Sequence, residues 1–367
     1  MASKVIRLWT TLFGGGSVLL GVGFIHHRLK NSSKSNRSLF NKSLCEPQSN
    51  RNDINDNFSE TSWKIHNAAN IFNRNKSDNE VIIEKARSLI KRFKEESGSP
   101  GLAISVSVNG KTVWSEGFGY SDVENDVECT PNSVMRIASI SKPLTAAAAM
   151  KLLDEGKLNL DDPVQKYVPK FPEKQMNSKP CVITIRHLLC HQSGIRHYHE
   201  RKKDQNSDHE KDKKKNEVSE LERQEYYIKE CYDSVEKSLS LFKDDPLVHE
   251  PGSRFLYTTF GWTLLSAVIE SASQTKFLPY MYQLFKDLDM NNTQAELHEN
   301  LVYGRARHYV RNEKGKLNNT PFVDNCYKWA GGGFISTSED LIKFGNAMLY
   351  SSQIGEYQGK FKNNLLS

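Results

Sequence analysis

The chain is short of the residues that would staple a fold or hold a metal in it. Six cysteines in 367 residues (Cys45, Cys129, Cys181, Cys190, Cys231 and Cys326) stand far apart and include no C-x-x-C pair. That spacing excludes a dense disulfide framework and a cysteine-built zinc site, and it leaves free thiols in ordinary structural positions. An excess of one charge is also lacking: 50 Lys and Arg face 44 Asp and Glu, for a net charge of +6. The two signs are interspersed almost everywhere. A clustered basic footprint is therefore missing, and no nucleic-acid partner is expected.

Acidic residues are absent from one stretch, positions 1–45, which holds seven Lys and Arg. Within it Leu8 to Ile25 forms an 18-residue run that is apolar or small, interrupted by Gly14, Gly15 and Gly16 and closed by His26-His27-Arg28-Leu29-Lys30. Eighteen residues lie near the lower limit for crossing a bilayer, and consecutive glycines weaken a helix. The acid-free, Arg- and Ser-rich flanks read as a mitochondrial targeting segment with an inner-membrane anchor. A secretory signal or signal anchor is the competing reading, helped by sequons such as Asn36-Arg37-Ser38. A merely apolar tail is the third.

Residues 46–76 are rich in Asn, Asp and Ser and read as a disordered linker. The folded domain is expected over 77–367, with a charged, exposed insert at about 200–225. Ser77 and Glu80 have the spacing of a capping box, followed by Val81, Ile82, Ala86, Leu89, Ile90 and Phe93 at helical intervals. Two strands, 102–108 and 112–119, meet at Asn109-Gly110, a type I′ hairpin signal. Further helices are expected over 143–156, over 255–270 and over 338–350, the last two amphipathic and the last capped by Ser336 with Glu339.

The chemistry-bearing pattern is Ser139-Ile140-Ser141-Lys142. A lysine one helical turn after a serine can sit beside its oxygen and activate it as a nucleophile. Four more S-x-x-K matches begin at Ser88, Ser234, Ser240 and Ser273, and the tetrad alone favours a helix cap with a solvated lysine. Context separates them. Ser139 stands where an apolar stretch gives way to a helix, so its N–H lies near the positive end of the helix dipole, where an oxyanion is stabilised. Pro143 is tolerated in a first turn. Burial against that helix would lower the pKa of Lys142. His187 and His191, four residues apart, have a spacing two metal ligands could use. No Glu stands beside them in the H-E-x-x-H manner, and structural histidines are the reading adopted, with His197 and His199 in a loop.

With its surroundings, the tetrad resembles the serine β-lactamase and penicillin-binding-protein superfamily, class C-like branch. The matching blocks are Ile137 to Lys142, Glu155 to Val164, Thr184 to Ile195, Pro251 to Gly261 and Gly331 to Thr337, in the family's order. The run Tyr327-Lys328-Trp329-Ala330, with the insert and the targeting segment, is most similar to the animal mitochondrial members. The resemblance implies an α/β (α+β) fold of β-lactamase/transpeptidase type: an antiparallel sheet flanked by helices, plus a mainly helical subdomain. It implies Ser139 as the acyl-enzyme nucleophile, Lys142 as general base and Tyr257 sharing proton transfer, with Thr259 at a substrate-binding position and no cofactor or metal.

Two departures stand out. Thr259 occupies the place of the usual Asn in Tyr-x-Asn, and a hydroxyl cannot offer both an amide donor and an acceptor. No Lys/His-Thr-Gly follows Gly333, so the C-terminal sheet strands and closing helix of the family are expected to be missing, and with them one oxyanion donor, worth on the order of 10²–10³ in rate. The resemblance further implies a hydrolase acting on peptides or acyl-amides, located in the mitochondrial intermembrane space, with a role in mitochondrial lipid metabolism. The alternative it carries is a non-catalytic, filament-forming homo-oligomer with a vestigial site.

Overall fold

The computed structural model describes residues 76–198, 224–230, 232–312 and 314–357. The N-terminal segment, the linker and most of the charged insert lie outside these residues.

Helix α1 (Lys76–Ser97) leads into strands β1 (Gly101–Val108) and β2 (Lys111–Asp122), with the short β3 (Val127–Glu128) beyond β2 in one antiparallel sheet. The hairpin closes with Val108 opposite Lys111, and Asn109 and Gly110 take positive φ angles of 51° and 75°. That is the double left-handed pair a type I′ turn requires. Alternation along the strands then sorts the faces. Leu102, Ile104 and Phe118 are buried beneath α1, packed with Ile90 and Trp114, and the Arg87 guanidinium reaches Glu116 at 2.9 Å. Of the six apolar positions expected to line the buried side of α1, Val81, Leu89 and Phe93 are exposed. The helix rests on the sheet through a stripe narrower than its sequence suggests.

The chain continues through β4 (Met135–Arg136) and a single 3₁₀ turn at Ala138–Ile140 into α2 (Ser141–Asp154). After the hairpin β5 (Lys174–Met176) and β6 (Lys179–Cys181) come α3 (Ile185–Leu189), α4 (Val235–Ser238), α5 (Phe260–Ser273) and α6 (Phe277–Asp287). The remaining elements are β7 (Gln294–Ala295), the pair β8 (Tyr309–Arg311) and β9 (Leu317–Asn319), α7 (Trp329–Gly332), β10 (Phe334–Ser336) and α8 (Ser338–Tyr357). β10 lies between β4 and β7, pairing Ile335 with Arg136 and Phe334 with Ala295. α8 packs on the other face of the hairpin through serines: Ser105 to Ser338 at 2.8 Å, Ser107 to Asn346 at 2.6 Å and Ser115 to Glu339 at 2.9 Å.

The main core is helical. Leu144, Ala148, Ala149 and Leu152 of α2, and Phe260, Leu264, Leu265, Val268 and Ile269 of α5, are completely buried. This corrects the expectation of an amphipathic helix over 255–270. The helix begins at Phe260, its first ten residues are all buried, and 255–259 is irregular backbone. The expected cap of α8 moves by one residue as well. Ser336 is held in β10 with its hydroxyl 2.7 Å from Thr293, and it is the Thr337 hydroxyl that accepts the Asp340 N–H at 3.2 Å. The result is the antiparallel-sheet-and-helix fold of the β-lactamase and transpeptidase type, with β4, α2, α5 and α7 converging on one place.

Candidate active site

Ser139 reaches its position through a distorted turn. The Ile137 N–H binds the Phe334 carbonyl at 3.1 Å and so keeps the chain in register with β10. At Ala138 φ turns positive, to 45°. A side chain in that region costs roughly 1–2 kcal/mol, so the surroundings must hold it there. On one side the Ser141 hydroxyl accepts the Phe334 N–H at 3.2 Å. On the other, Arg136 forms a two-pronged ion pair with Glu296 at 2.6 and 2.7 Å, and Asn325 also donates to that carboxylate. Glu296 is 2% exposed. The pair therefore fixes the strand end firmly, because removing either partner would strand a buried charge.

Three sequence-predicted residues meet at this turn. The Ser139 and Tyr257 hydroxyls lie 2.6 Å apart. Lys142 donates from Nζ to Ser139 Oγ at 3.1 Å and to the Gly331 carbonyl at 2.6 Å, and sits 4.7 Å from the centre of the Tyr257 ring. Lys142 is 4% exposed, while Ser139 and Tyr257 are half-buried. Ser139 lies in the single 3₁₀ turn that leads into α2, which sets its N–H near the positive end of that helix.

Thr259 does not reach this cluster from the open side. It is 3% exposed, and a Cβ added to Gly331 would come 2.5 Å from its Cγ2. A side chain there would force the buried Thr259 to shift, and Thr259 buttresses the wall from which Gly331 holds Lys142. The expectation that Thr259 meets substrate thus finds no exposed surface to act through.

Sequence reasoning missed the histidines' part in this site. His191 is buried, and its ring stacks on Tyr257 with centroids 4.6 Å apart and planes 24° from parallel. The Thr258 N–H points at its Nδ1 at 3.1 Å and the Trp262 indole N–H at its Nε2 at 3.1 Å. A neutral imidazole has one acceptor nitrogen, so the two donors compete, and an added proton would leave neither an acceptor. Burial, with Lys142 and His197 nearby, pushes its pKa down to about 3. His197 stands edge-on to Tyr257 with centroids 5.5 Å apart, and its Nδ1 accepts the Thr259 N–H at 3.3 Å. His187, by contrast, closes a capping box with Thr184 at the start of α3. No cluster able to hold a metal occurs among the described residues. The signal that could have found the two histidines is their place just before and after Ser193-Gly194, which forces a sharp return of the chain.

The other S-x-x-K serines have local duties. Ser88 is exposed on α1, Ser234 caps α4 by accepting the Lys237 N–H at 3.2 Å, and Ser240 and Ser273 donate to carbonyls of their own turns.

A serine, a lysine one turn on and a tyrosine on a facing loop thus lie together between a helical core and an antiparallel sheet. The chain belongs to the beta-lactamase family, whose model matches residues 86–363. It is 47% identical over 327 residues to the serine beta-lactamase-like protein LACTB, mitochondrial, of Homo sapiens, covering 77% of this chain and 59% of that protein. The Mus musculus protein of the same name is 48% identical over 330 residues, with 77% and 60% covered. The chain thus spans about 59% of the length of the curated relatives it matches. Among solved structures, the octameric penicillin-binding protein homologue from Pyrococcus abyssi aligns with a TM-score of 0.56 at 30% identity, covering 72% of this chain and 55% of that one. EstCE1, a hydrolase with promiscuous acyltransferase activity, shares the fold with a TM-score of 0.60 at 20% identity over 72% and 71% of the two chains.

Proposed function

We propose that this chain carries the acylating site of a serine hydrolase that cleaves amide or ester bonds of peptide-like substrates, with Ser139 as nucleophile. The observation that carries the reading is the placement of the Ser139 hydroxyl between Tyr257 at 2.6 Å and Lys142 at 3.1 Å. As an amine, Lys142 would take the serine proton directly. As an ammonium it donates to Ser139 and leaves the shorter contact, to Tyr257, as the exit for the proton. The 2.6 Å bond from Lys142 to the Gly331 carbonyl favours the ammonium. Its charge, held over the tyrosine ring, then favours the phenolate that accepts that proton.

The steps balance without a cofactor. Ser139 Oγ bonds to the acyl carbon as its proton passes to Tyr257 Oη. The carbonyl oxygen becomes an oxyanion near the Ser139 N–H, and the acyl–nitrogen or acyl–oxygen bond breaks as Tyr257 returns the proton to the leaving group. Water then attacks the acyl-enzyme by the reverse path and frees the acid. Turnover of a nitrophenyl ester by the purified chain should fall at least 10³-fold in Ser139→Ala if the nucleophile is correctly assigned. Retained turnover would point to a site elsewhere, and a chain that turns nothing over but sediments as a large assembly would point to the scaffold reading.

The location proposed is mitochondrial, in the intermembrane space with residues 1–45 as targeting segment and anchor, and the wider role is in mitochondrial lipid metabolism. The relatives' mitochondrial naming and the acid-free N-terminus support the location. A fluorescent fusion of residues 1–60 should accumulate in mitochondria; arrival in the secretory pathway would reverse this.

A further inference from the structure

We infer that His191 and His197 form a clamp that positions Tyr257 for proton transfer, an inference that rests on the hydrolase reading above. Tyr257 sits in irregular backbone, three residues before α5, and no strand pairing or helix fixes it. The fixing is done from across the fold. The His191 carbonyl accepts the Leu256 N–H at 2.7 Å and its ring faces the Thr258 N–H at 3.1 Å, so one residue holds the backbone on both sides of Tyr257. The same ring then stacks on the tyrosine's face, while His197 meets its edge and takes the next N–H, that of Thr259. The amides of Leu256, Thr258 and Thr259 and two sides of one phenol ring are thereby tied to two histidines.

The backbone at His191 indicates that this contact is selected over local comfort. α3 ends in a Schellman turn, with Gln192 N–H to the His187 carbonyl at 2.8 Å and His191 N–H to that of Leu188 at 3.2 Å. The residue at the left-handed position of such a turn is usually glycine. Here it is His191, at φ 55°. A histidine tolerated there turns its ring back beneath Tyr257, which glycine could not do. Both histidines are positioning residues: they touch Tyr257 and its flanking amides, with Ser139 reached through the tyrosine.

The test uses the full-length chain and three readouts. Reaction with a fluorophosphonate should slow about 10²-fold in His191→Asn, which tolerates the left-handed backbone and removes the ring, and also slow in His197→Asn. In a Tyr257→Phe background neither change should slow it further, because a residue acting through the tyrosine hydroxyl has nothing left to position. Unchanged rates in folded variants, or losses that multiply with Tyr257→Phe, would overturn the clamp. If His191→Asn does not fold, His197→Asn alone decides. Carbon-13 tyrosine NMR separates this inference from the hydrolase reading. The Tyr257 ring signal, assigned by its loss in Tyr257→Phe, should move in either histidine variant even if the wild-type chain proves unreactive. An unmoved signal would refute the clamp by itself.

Discussion

At Ser139 the chemistry depends on which neighbour is nearer, and on what holds those neighbours still. Tyr257 is nearer than Lys142, and each is fixed by groups distant in the chain: Lys142 by Gly331, Tyr257 by His191 and His197. His191 carries a further consequence for stability. Its pKa falls from an ordinary value near 6.5 to about 3 in the folded chain, through burial first and the nearby Lys142 charge second. Between those values the unfolded chain holds the extra proton. The contribution of a neutral His191 is therefore complete above about pH 6.5 and is lost as pH falls toward 3, at about 1.4 kcal/mol per pH unit. His191→Asn has no such proton. Urea unfolding from pH 7 to pH 4 should show the wild type losing stability faster than the variant by roughly that slope; parallel curves would contradict the burial argument. These residues divide sharply in legibility. Ser139, Lys142 and Tyr257 stand in contiguous motifs readable as text, whereas His191 was legible only as a structural histidine, because its true partners lie some sixty-five residues away.

At the scale of elements, periodicity succeeded where one face of an element is wet and failed where none is. The β1–β2 hairpin was legible from Asn109-Gly110 and its alternation. α5 was legible as a helix but not in its start or its all-round burial, because a helix with no wet face has no stripe to set its first residue, and Ser336 was misread because β10 pairing claims it before α8 begins. Two glycines of β2 and its turn separate two kinds of constraint. Gly110 needs its left-handed φ of 75° but has open space around it, so Gly110→Ala should cost about 1 kcal/mol. Gly117 has no positive φ, yet a Cβ there would fall 2.0 Å from the Cys129 carbonyl oxygen. Backbone cannot yield as a flexible side chain does, so Gly117→Ala should cost several times more, or prevent folding. Thermal unfolding of the two variants would measure the order, and equal losses would refute it.

At the scale of the molecule, the fold works by bringing distant segments to one turn. The stretch from Arg136 to Lys142, the 255–259 loop and the 329–333 segment are separated by a hundred or more residues, or by some seventy, and meet only because α2 and α5 share a core. The family blocks foretold that meeting, and all of them fall within the 86–363 span that matches the beta-lactamase family. The strain at Ala138 and the Arg136–Glu296 pair behind it left no mark in the sequence, because both arise from contacts that exist only after folding. The central claim is that this assembly makes Ser139 the acylated residue. Its most direct test is peptide mapping by mass spectrometry after reaction of the full-length chain with a fluorophosphonate. The account predicts one adduct, on Ser139, lost in Ser139→Ala and strongly reduced in Lys142→Met. An adduct on another serine, or labelling that survives Ser139→Ala undiminished, would contradict it.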